Sequence, residues 1–335
     1  MNIKDIAKLS GYGIGTVSRV LNNKPNVSSK AREEILKIAK EHNFIRNSNA
    51  QMLKQQGTSI AILVKGVSNI LLSNILELIQ KILLDSEYTT SVTVLDESEN
   101  EAKAAYRVYY SKKPAGIIFL GGSPEYFKDD FDKIKVPCVL ITSQGKNINS
   151  DYLSSVSTDD VAAAKKMTEY LISCGHKKIA VIGGQLSDNV VSISERRYKG
   201  FLSAMKKHHL SFDQEKYYHS SKYSFDGGML AAEELLNKTN DFTAVFAMSD
   251  VQALGAIRYF ADKGYKVPED ISVSGFDGLP ITQFTNPRLT TIKQISDRLA
   301  REGTKALLNS LVNGTVAVHK LIPFELVEGE SVKKI

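Results

Sequence analysis

The side chains that indicate most about the chemistry of this chain lie on one short predicted helix at positions 14–21. The helical period turns Val17, Val20 and Leu21 to one side, where they can pack inward. The opposite side holds Gly15, Thr16, Ser18, Arg19 and Asn22. Their hydroxyl, guanidinium and amide groups are the kinds that bond to phosphate oxygens and to the edges of bases.

Two further predicted helices position that polar side. The first begins near Ile3 and ends before Gly11, which can take the positive φ that a tight turn requires. The third runs from Ser29 to His42, with Ser28 as its expected N-cap. We expect their inward faces to consist of Ile3, Ile6, Ala7 and Leu9, and of Ile35, Ile38, Ala39 and His42. This arrangement predicts a helix-turn-helix, whose second helix can lie in the DNA major groove.

The net charge of +6 is concentrated in the same region. Residues 1–60 contain ten lysines and arginines against four acidic residues, whereas the remaining 275 residues contain 33 of each sign. A basic patch of this kind binds DNA through its phosphates, independently of sequence and sensitively to salt. A solvated helical surface is the other interpretation of the charge alone.

This N-terminal region resembles the LacI/GalR family of bacterial transcription regulators. The matching residues are Asp5-Ile6-Ala7, Gly11, Thr16-Val17-Ser18-Arg19-Val20-Leu21-Asn22-Asn23, Val27-Ser28, Arg32 and Asn43-Phe44. The resemblance implies a DNA-binding domain over residues 1–45, in which Ile14 and Gly15 discriminate operator bases. It also implies base and phosphate contacts from Thr16, Ser18, Arg19, Asn22 and Ser28. Gly13 and Gly15 depart from the usual residues. Close approach to DNA is one interpretation of Gly15, and a tolerated weak helix position is the alternative.

Residues 46–57 are polar and resemble the family's hinge helix, which folds when a dimer engages DNA. Asn47, Ala50 and Leu53 match its pattern, and the resemblance makes Leu53 an apolar wedge in the minor groove. Arg46 stands where the family usually has proline. A plain flexible linker is the alternative interpretation.

From Ser59 onward, strand-like apolar segments alternate with helical stretches, which predicts doubly wound parallel sheets. The predicted strands are 60–64, 91–95, 116–120, 137–141, 178–182, 244–248 and 271–276, and the helices include 70–86, 161–174, 197–208, 225–236 and 251–263. The fold class is therefore a small all-α head plus an α/β body. The body resembles the family's periplasmic-binding-protein-like fold. We expect two subdomains, 58–158 with 290–320 and 159–289 with 321–335.

Ligands of open α/β sheets bind beyond the carboxyl ends of the strands, and polar side chains there are candidates for an effector site. With the family resemblance, these are Ser68, Asn69, Leu72, Thr142, Arg197, Tyr223, Ser249, Asp277 and Gln294. A helix N-cap remains the alternative role for Asp277, and a surface ion pair for Arg197; Asp250 is expected to cap the helix that starts at Val251. Gly66, Leu71 and Leu72 replace the family's usual aspartate and aromatic residues, which leaves the identity of a sugar ligand open.

These features favour a DNA-binding transcriptional regulator, and we expect a homodimeric repressor that binds a pseudo-palindromic operator. We expect a small-molecule effector, a carbohydrate or a derivative, to control it, and a protein co-regulator is the alternative. A sugar-binding transport protein conflicts with the basic head and with the absence of an apolar export signal. No metal-protease, Walker or nucleophile-elbow motif suggests an enzyme, and we expect no cofactor.

No apolar run is long enough for a membrane span. Cys138 and Cys174 are expected to be buried thiols in the cytoplasm, and His208, His209 and His219 to face solvent.

Overall fold

The chain divides into two units, residues 1–56 and residues 57–335. The described residues of the first unit contain three helices. The computed structural model describes residues 3–21, 25, 27–42, 57–66, 69–128, 131–148, 150–186, 192–314 and 316–335. The helices of the first unit are α1 (Ile3–Ser10), α2 (Ile14–Leu21) and α3 (Ser29–Glu41). Gly11, at φ 72°, makes the turn between α1 and α2, as the sequence predicts. The Ser28 side chain caps α3 by accepting a hydrogen bond from the Ala31 amide at 3.3 Å.

Among the described side chains, the core of this small unit differs from the prediction at two positions; the predicted core side chain of Ile3 lies outside the described ones. It consists of Ile6, Ala7, Val17, Val20 and Ile35, with further partly buried side chains around it. Leu9 is 54% exposed, because it lies about 200° around the helix from Ala7. His42 is also exposed, because it follows the last turn of α3 as its C-cap residue. Ala31, four residues before Ile35, is buried instead.

The larger unit contains two six-stranded sheets that alternate with helices along the chain. The elements of its first half are β1 (Ser59–Lys65), α4 (Ile70–Leu83), β2 (Thr89–Leu95), α5 (Glu101–Lys112), β3 (Gly116–Leu120), β4 (Cys138–Ile141) and β5 (Leu153–Thr158). Two short 3₁₀ helices, Pro124–Phe127 and Phe131–Lys133, lie between β3 and β4. The elements of its second half are α6 (Asp160–Ser173), β6 (Ile179–Gly183), α7 (Ile193–Lys207), α8 (Gln214–Tyr217), β7 (Tyr218–Ser220), α9 (Phe225–Lys238), β8 (Ala244–Ala247), α10 (Asp250–Asp262), β9 (Ser272–Asp277), the 3₁₀ helix Pro280–Gln283, β10 (Thr290–Gln294), α11 (Ser296–Asn313), β11 (His319–Ile322) and β12 (Phe324–Val327).

The first sheet has the order β11-β5-β4-β3-β1-β2, and all of its pairings are parallel. The second has the order β12-β10-β9-β8-β6-β7, in which only the pairing of β10 with β12 is antiparallel. Both faces of each sheet are covered by apolar clusters, as the continuous Ile-, Val- and Ala-rich strands require. The described fold is the predicted one, a helical head with two mainly parallel sheets.

The chain passes between the two sheets three times, and two of the passages differ from the expected boundaries. Residues 290–294 were expected to return to the first sheet, but Thr290–Gln294 pairs with β9 and belongs to the second. The return comes with α11, which packs on the first-sheet cluster through Leu299 and Leu307. The last passage lies between β11 and β12, at 322–324 rather than at 320–321. The short edge strands carry exposed residues, so their hydrophobic pattern gives a weak signal.

Both cysteines are buried and free, and burial raises the pKa of the Cys138 thiol. Across the described residues, no helix combines the length and hydropathy needed to cross a bilayer.

Candidate functional site

Helix α2 presents the polar side that the sequence predicts. Val17 and Val20 are buried against α1 and α3, whereas Ile14 is 49% exposed and Arg19 is exposed. Thr16 and Ser18 are partly exposed between them. A methyl group added to Gly15 would meet no described atom within 4 Å, so this position is open to an approaching molecule. Asn22, Asn47, Ala50 and Leu53 lie outside the described residues.

The larger unit contains a cavity of about 920 Å³ at the carboxyl ends of strands from both sheets. The loops after β1, β2, β3 and β4 line it from the first sheet, and the loops after β6, β7 and β9 from the second. Such a cleft is where ligands of open α/β sheets bind, because the strands end together and the helices begin there. Seven of the nine predicted effector residues line it: Asn69, Leu72, Thr142, Arg197, Tyr223, Asp277 and Gln294.

The other two predicted positions have different outcomes. Ser68 lies outside the described residues. Ser249 does not line this cavity but lines a small adjoining pocket, which shares Asn69, Tyr223 and Asp277 with it. Ser249 is also the N-cap of α10, and its hydroxyl accepts a hydrogen bond from the backbone amide of Gln252. Asp250 therefore is not the cap that the sequence suggested. Its buried carboxylate accepts hydrogen bonds from the Leu279 amide at 2.7 Å and from the Thr291 hydroxyl at 2.5 Å.

Arg197 lies at the centre of a buried ionic cluster rather than in a surface ion pair. Its Nε donates to Asp160 Oδ1 at 2.9 Å, and one Nη lies 3.6 Å from Asp277 Oδ1. Another Nη donates to the Met248 carbonyl, and the guanidinium stacks 3.7 Å from the centre of the Phe276 ring. Burial lowers the pKa of Arg197 but its carboxylate neighbours outweigh burial, so the net shift is upward and the group stays charged.

Asp277 is held at the end of β9 in a strained backbone conformation, with φ 119°. Its Oδ1 accepts a hydrogen bond from Gln294 Nε2 at 2.9 Å. Burial raises the pKa of Asp277 to about 6, although Arg197 opposes the shift. Gln294 Oε1 is buried and has no hydrogen-bond partner among the described residues. The cluster thus combines charged groups with an amide oxygen that is ready to accept a hydrogen bond.

Thr142, at the end of β4, is the other strained residue of the cavity. Its φ is 76°, a value that a β-branched residue rarely adopts. Its hydroxyl is buried and has no partner among the described residues. Strain of this kind concentrates at ligand-binding positions, and an unpartnered hydroxyl can bond to a polar ligand.

We expect Thr142→Gly to raise the free energy of unfolding by about 1 kcal/mol. Glycine relieves strain of about 1–3 kcal/mol and costs roughly 0.5–1 kcal/mol in backbone entropy. Urea denaturation measures the change, with Thr90→Gly on the regular strand β2 as the control. The control should lose stability; a loss in Thr142→Gly as well would show that the threonine is not strained.

Several cavity residues were not predicted from the sequence. They include Lys65, Asp96, Glu97, Ser98, Glu101, Tyr126 and Lys222. Most of them lie at or just after the carboxyl ends of β1, β2, β3 or β7. Because ligands of open α/β sheets bind beyond those ends, the same reasoning applied to every strand predicts these residues as well. The missed strand β7 also explains why His219 was wrongly expected in solvent. It is 5% exposed, its Nδ1 lies 2.8 Å from Glu234 Oε2, and burial lowers its pKa.

Comparison with known proteins identifies the family. A family model described as bacterial regulatory proteins, lacI family, matches residues 2–47, and one for a periplasmic binding protein-like domain matches residues 168–332. The chain is 36% identical to the HTH-type transcriptional regulator MalR of Clostridium butyricum, over 99% of each chain. The chain belongs to the LacI family. It is therefore a DNA-binding transcriptional regulator with an effector domain.

Two further LacI-family proteins are similar to this chain along its whole length. The HTH-type transcriptional repressor PurR of Haemophilus influenzae is 30% identical over 99% of each chain. A structure of the Lac repressor bound to ONPG in the repressed state has a TM-score of 0.78 and 25% identity, again over 99% of each chain. The two family models match the helical head and most of the second half of the larger unit.

Proposed function

We propose that this LacI-family regulator is a repressor that binds its operator as a homodimer and releases it when a carbohydrate enters the cavity. The observation that carries the effector assignment is the cavity itself. It is lined by strained or buried polar groups, of which the Thr142 hydroxyl and Gln294 Oε1 have no partner among the described residues. Buried polar groups of this kind are costly unless something pairs with them. A polyhydroxylated ligand would supply those hydrogen bonds.

The residues around the cavity suit a sugar. Arg197 and Asp277 provide a donor and an acceptor for hydroxyl groups, and Gln294 holds Asp277 in place. Tyr223 adds an aromatic ring; its hydroxyl lies 2.8 Å from the Ser194 hydroxyl. Ligand sites combine such apolar surfaces with a few well-placed polar groups. A LacI-family regulator from Enterococcus faecium with bound ribose has the same fold, with a TM-score of 0.70 and 25% identity over 83% of this chain.

The DNA side of the proposal follows from helix α2. In a dimer, two copies of α2 would enter successive major grooves, so the operator would be pseudo-palindromic. Ile14, Gly15, Thr16, Ser18 and Arg19 would face the bases and phosphates. Asn22 and the hinge residues Asn47, Ala50 and Leu53 are proposed contacts from sequence alone. Such a regulator would act in the cytoplasm, where the DNA is.

A thermal-shift screen tests the effector assignment. The purified chain is heated with neutral mono- and disaccharides, sugar phosphates, nucleosides and purines. A ligand at about 100 times its Kd should add roughly 2.7 kcal/mol to the stability of the native state. We expect stabilisation by a carbohydrate. Stabilisation by purines or nucleosides alone, or by nothing in the screen, would contradict a carbohydrate effector.

A further inference from the structure

The wall of the cavity that the first sheet contributes carries a polar group of its own, distinct from the Arg197–Asp277 cluster. We call it the first-sheet wall and define it by Lys65, Glu101 and Tyr126, all of which line the cavity. Lys65 is the last residue of β1, Glu101 the first residue of α5, and Tyr126 lies in the 3₁₀ helix after β3. None of the three was singled out from the sequence.

Glu101 is the central residue of this wall. It is only 1% exposed, yet its carboxylate has just one oxygen in use. Oε1 accepts a hydrogen bond from the Ser123 amide at 3.2 Å and lies 2.6 Å from Lys65 Nζ. Oε2 is buried and finds no hydrogen-bond partner in the described part of the chain. Leaving a charged oxygen unpaired in this way is costly, which points to a ligand that donates a hydrogen bond to it.

The neighbours of Glu101 hold it in position. Lys65 Nζ also donates to the Glu99 carbonyl at 2.6 Å and lies 5.5 Å from the centre of the Tyr126 ring. Gly122 passes so close that a Cβ atom there would come within 3.0 Å of Glu101 Oε1. The carboxylate is therefore fixed from two sides, by the Lys65 cation and by the backbone after β3. A group fixed in this way is preorganised to bind.

The charges of the cavity argue against an anionic ligand. Two of the cations that line it, the partly exposed Lys65 and the buried Arg197, already pair with carboxylates. The third lining cation, Lys222, is exposed and lies close enough to Asp96 to help lower the pKa of that carboxyl. To reach Lys65 or Arg197, a phosphate or carboxylate would have to displace the buried carboxylate of Glu101 or Asp160, which is unfavourable. The exposed Lys222 is the lining cation that an anion could reach without doing so. Neutral hydroxyl groups can instead donate to the carboxylates as they stand.

The size of the cavity argues for more than one sugar unit. At about 920 Å³, it lies near the upper end of the ~300–1,000 Å³ typical of sites for drug-sized ligands. Its polar groups fall into two sets on different sheets, the Arg197–Asp277 cluster on one and Glu101 on the other. A ligand that satisfies both sets must reach across the cleft.

We propose that the first-sheet wall is a second sugar subsite, and that the effector is a neutral carbohydrate of at least two units. Glu101 accepts hydroxyl hydrogen bonds from one unit, Tyr126 packs against its C–H groups, and the Arg197–Asp277 cluster binds the other unit. The inference rests on the proposed carbohydrate-responsive function and specifies its ligand class.

Calorimetric titration of the full chain tests this subsite. The probes are maltose, cellobiose, lactose and sucrose, each compared with glucose, and glucose 6-phosphate and glucuronate as anionic sugars. The variants are Glu101→Gln and, as the matched control, Glu99→Gln. Glu99 is two residues away and pairs with the exposed Arg107, and it does not line the cavity.

We expect one neutral disaccharide to bind more tightly than glucose and than either anion. Glu101→Gln should lower the affinity for that disaccharide at least about tenfold and leave the affinity for glucose unchanged. The second sugar unit would then no longer add to binding. Glu99→Gln should bind both sugars as the wild type does. If Glu101→Gln does not fold, Tyr126→Ala, which leaves the ion pair in place, should show the same selective loss.

Three results would overturn the subsite. Tighter binding of an anionic sugar, or equal disaccharide affinity in Glu101→Gln and Glu99→Gln, would refute it and leave a carbohydrate effector standing. The absence of binding by every sugar would refute the carbohydrate effector as well.

Discussion

Replacing Arg197 with methionine is expected to lower the free energy of unfolding of the effector domain by about 3–5 kcal/mol at pH 7. Removing one partner of a buried ion pair leaves the other charge uncompensated, and losses of this size follow. Here two carboxylates, Asp160 and Asp277, lose their cation at once. Methionine keeps much of the side-chain volume, so a cavity contributes little to the loss.

The loss should shrink as the pH falls from 7 to 5. In the folded protein the pKa of Asp277 is about 6, above its ordinary value of 3.8. This carboxyl therefore binds more protons in the folded than in the unfolded state between these values, and it favours folding more as the pH falls through that window. Without Arg197, which lowers the pKa of Asp277 and of Asp160, the folded-state pKa values rise further. As the pH falls from 7 to 5, the free energy of unfolding therefore rises more in the variant than in the wild type.

Urea denaturation at pH 7 and pH 5 measures both effects, with Arg196→Met as the matched control. Arg196 is the next residue, is partly exposed, and donates a single side-chain hydrogen bond to Gln144 Oε1 at 2.8 Å. The Arg196→Met variant should lose less than about 1 kcal/mol of its free energy of unfolding. An equally small loss in Arg197→Met, or a loss that grows at pH 5, would show that the cluster is not held together by the guanidinium.

Arg19→Ala is expected to abolish specific operator binding while leaving the melting temperature almost unchanged. Arg19 is exposed on α2, whereas the core contacts of that helix come from Val17 and Val20. A good contact from an arginine to a base is worth about 1–3 kcal/mol, and a dimer would lose two such contacts. Fluorescence anisotropy on a duplex selected from a random library by the wild-type chain measures the affinity.

Lys37→Ala is the matched control, because it separates the loss of a base contact from the loss of positive charge. Lys37 is an exposed cation on α3, with 75% of its side chain accessible, so its loss removes the same unit of charge as Arg19→Ala. Loss of charge alone weakens specific and non-specific DNA alike. Equal effects of the two substitutions on the selected duplex would contradict the recognition role of Arg19.

The sequence predicted the head and seven of the twelve described strands, because these depend on local signals; β5, β7, β10, β11 and β12 were not among the predicted strands. The Gly11 turn, the Ser28 cap and the inward Val17 and Val20 all follow from spacing and from helix chemistry. Thr142 was found because it follows a strong hydrophobic strand whose end could be located. Its strained φ could not be foreseen, since tertiary contacts impose it.

What the sequence missed depends on long-range pairing. Lys65 and Glu101 are charged, and a charged residue at the end of a strand or the start of a helix usually faces solvent. Only the fold shows that Glu101 is buried and that the partly exposed Lys65 pairs with it. Ser249 rather than Asp250 caps α10, because this helix begins one residue earlier than expected. The start of α7 was placed four residues late, because the Ser192–Glu195 capping box precedes its apolar pattern.

The most direct test of the account is the operator affinity of the full chain with and without bound sugar. Anisotropy titrations on the selected duplex would be run without sugar and at a saturating concentration of the carbohydrate that stabilises the protein most in the thermal-shift screen. We predict that the sugar weakens operator binding by roughly 5–150-fold, the usual range of coupling between two sites. An operator affinity that is unchanged or increased when the sugar is bound would contradict a repressor released by a carbohydrate in this cavity.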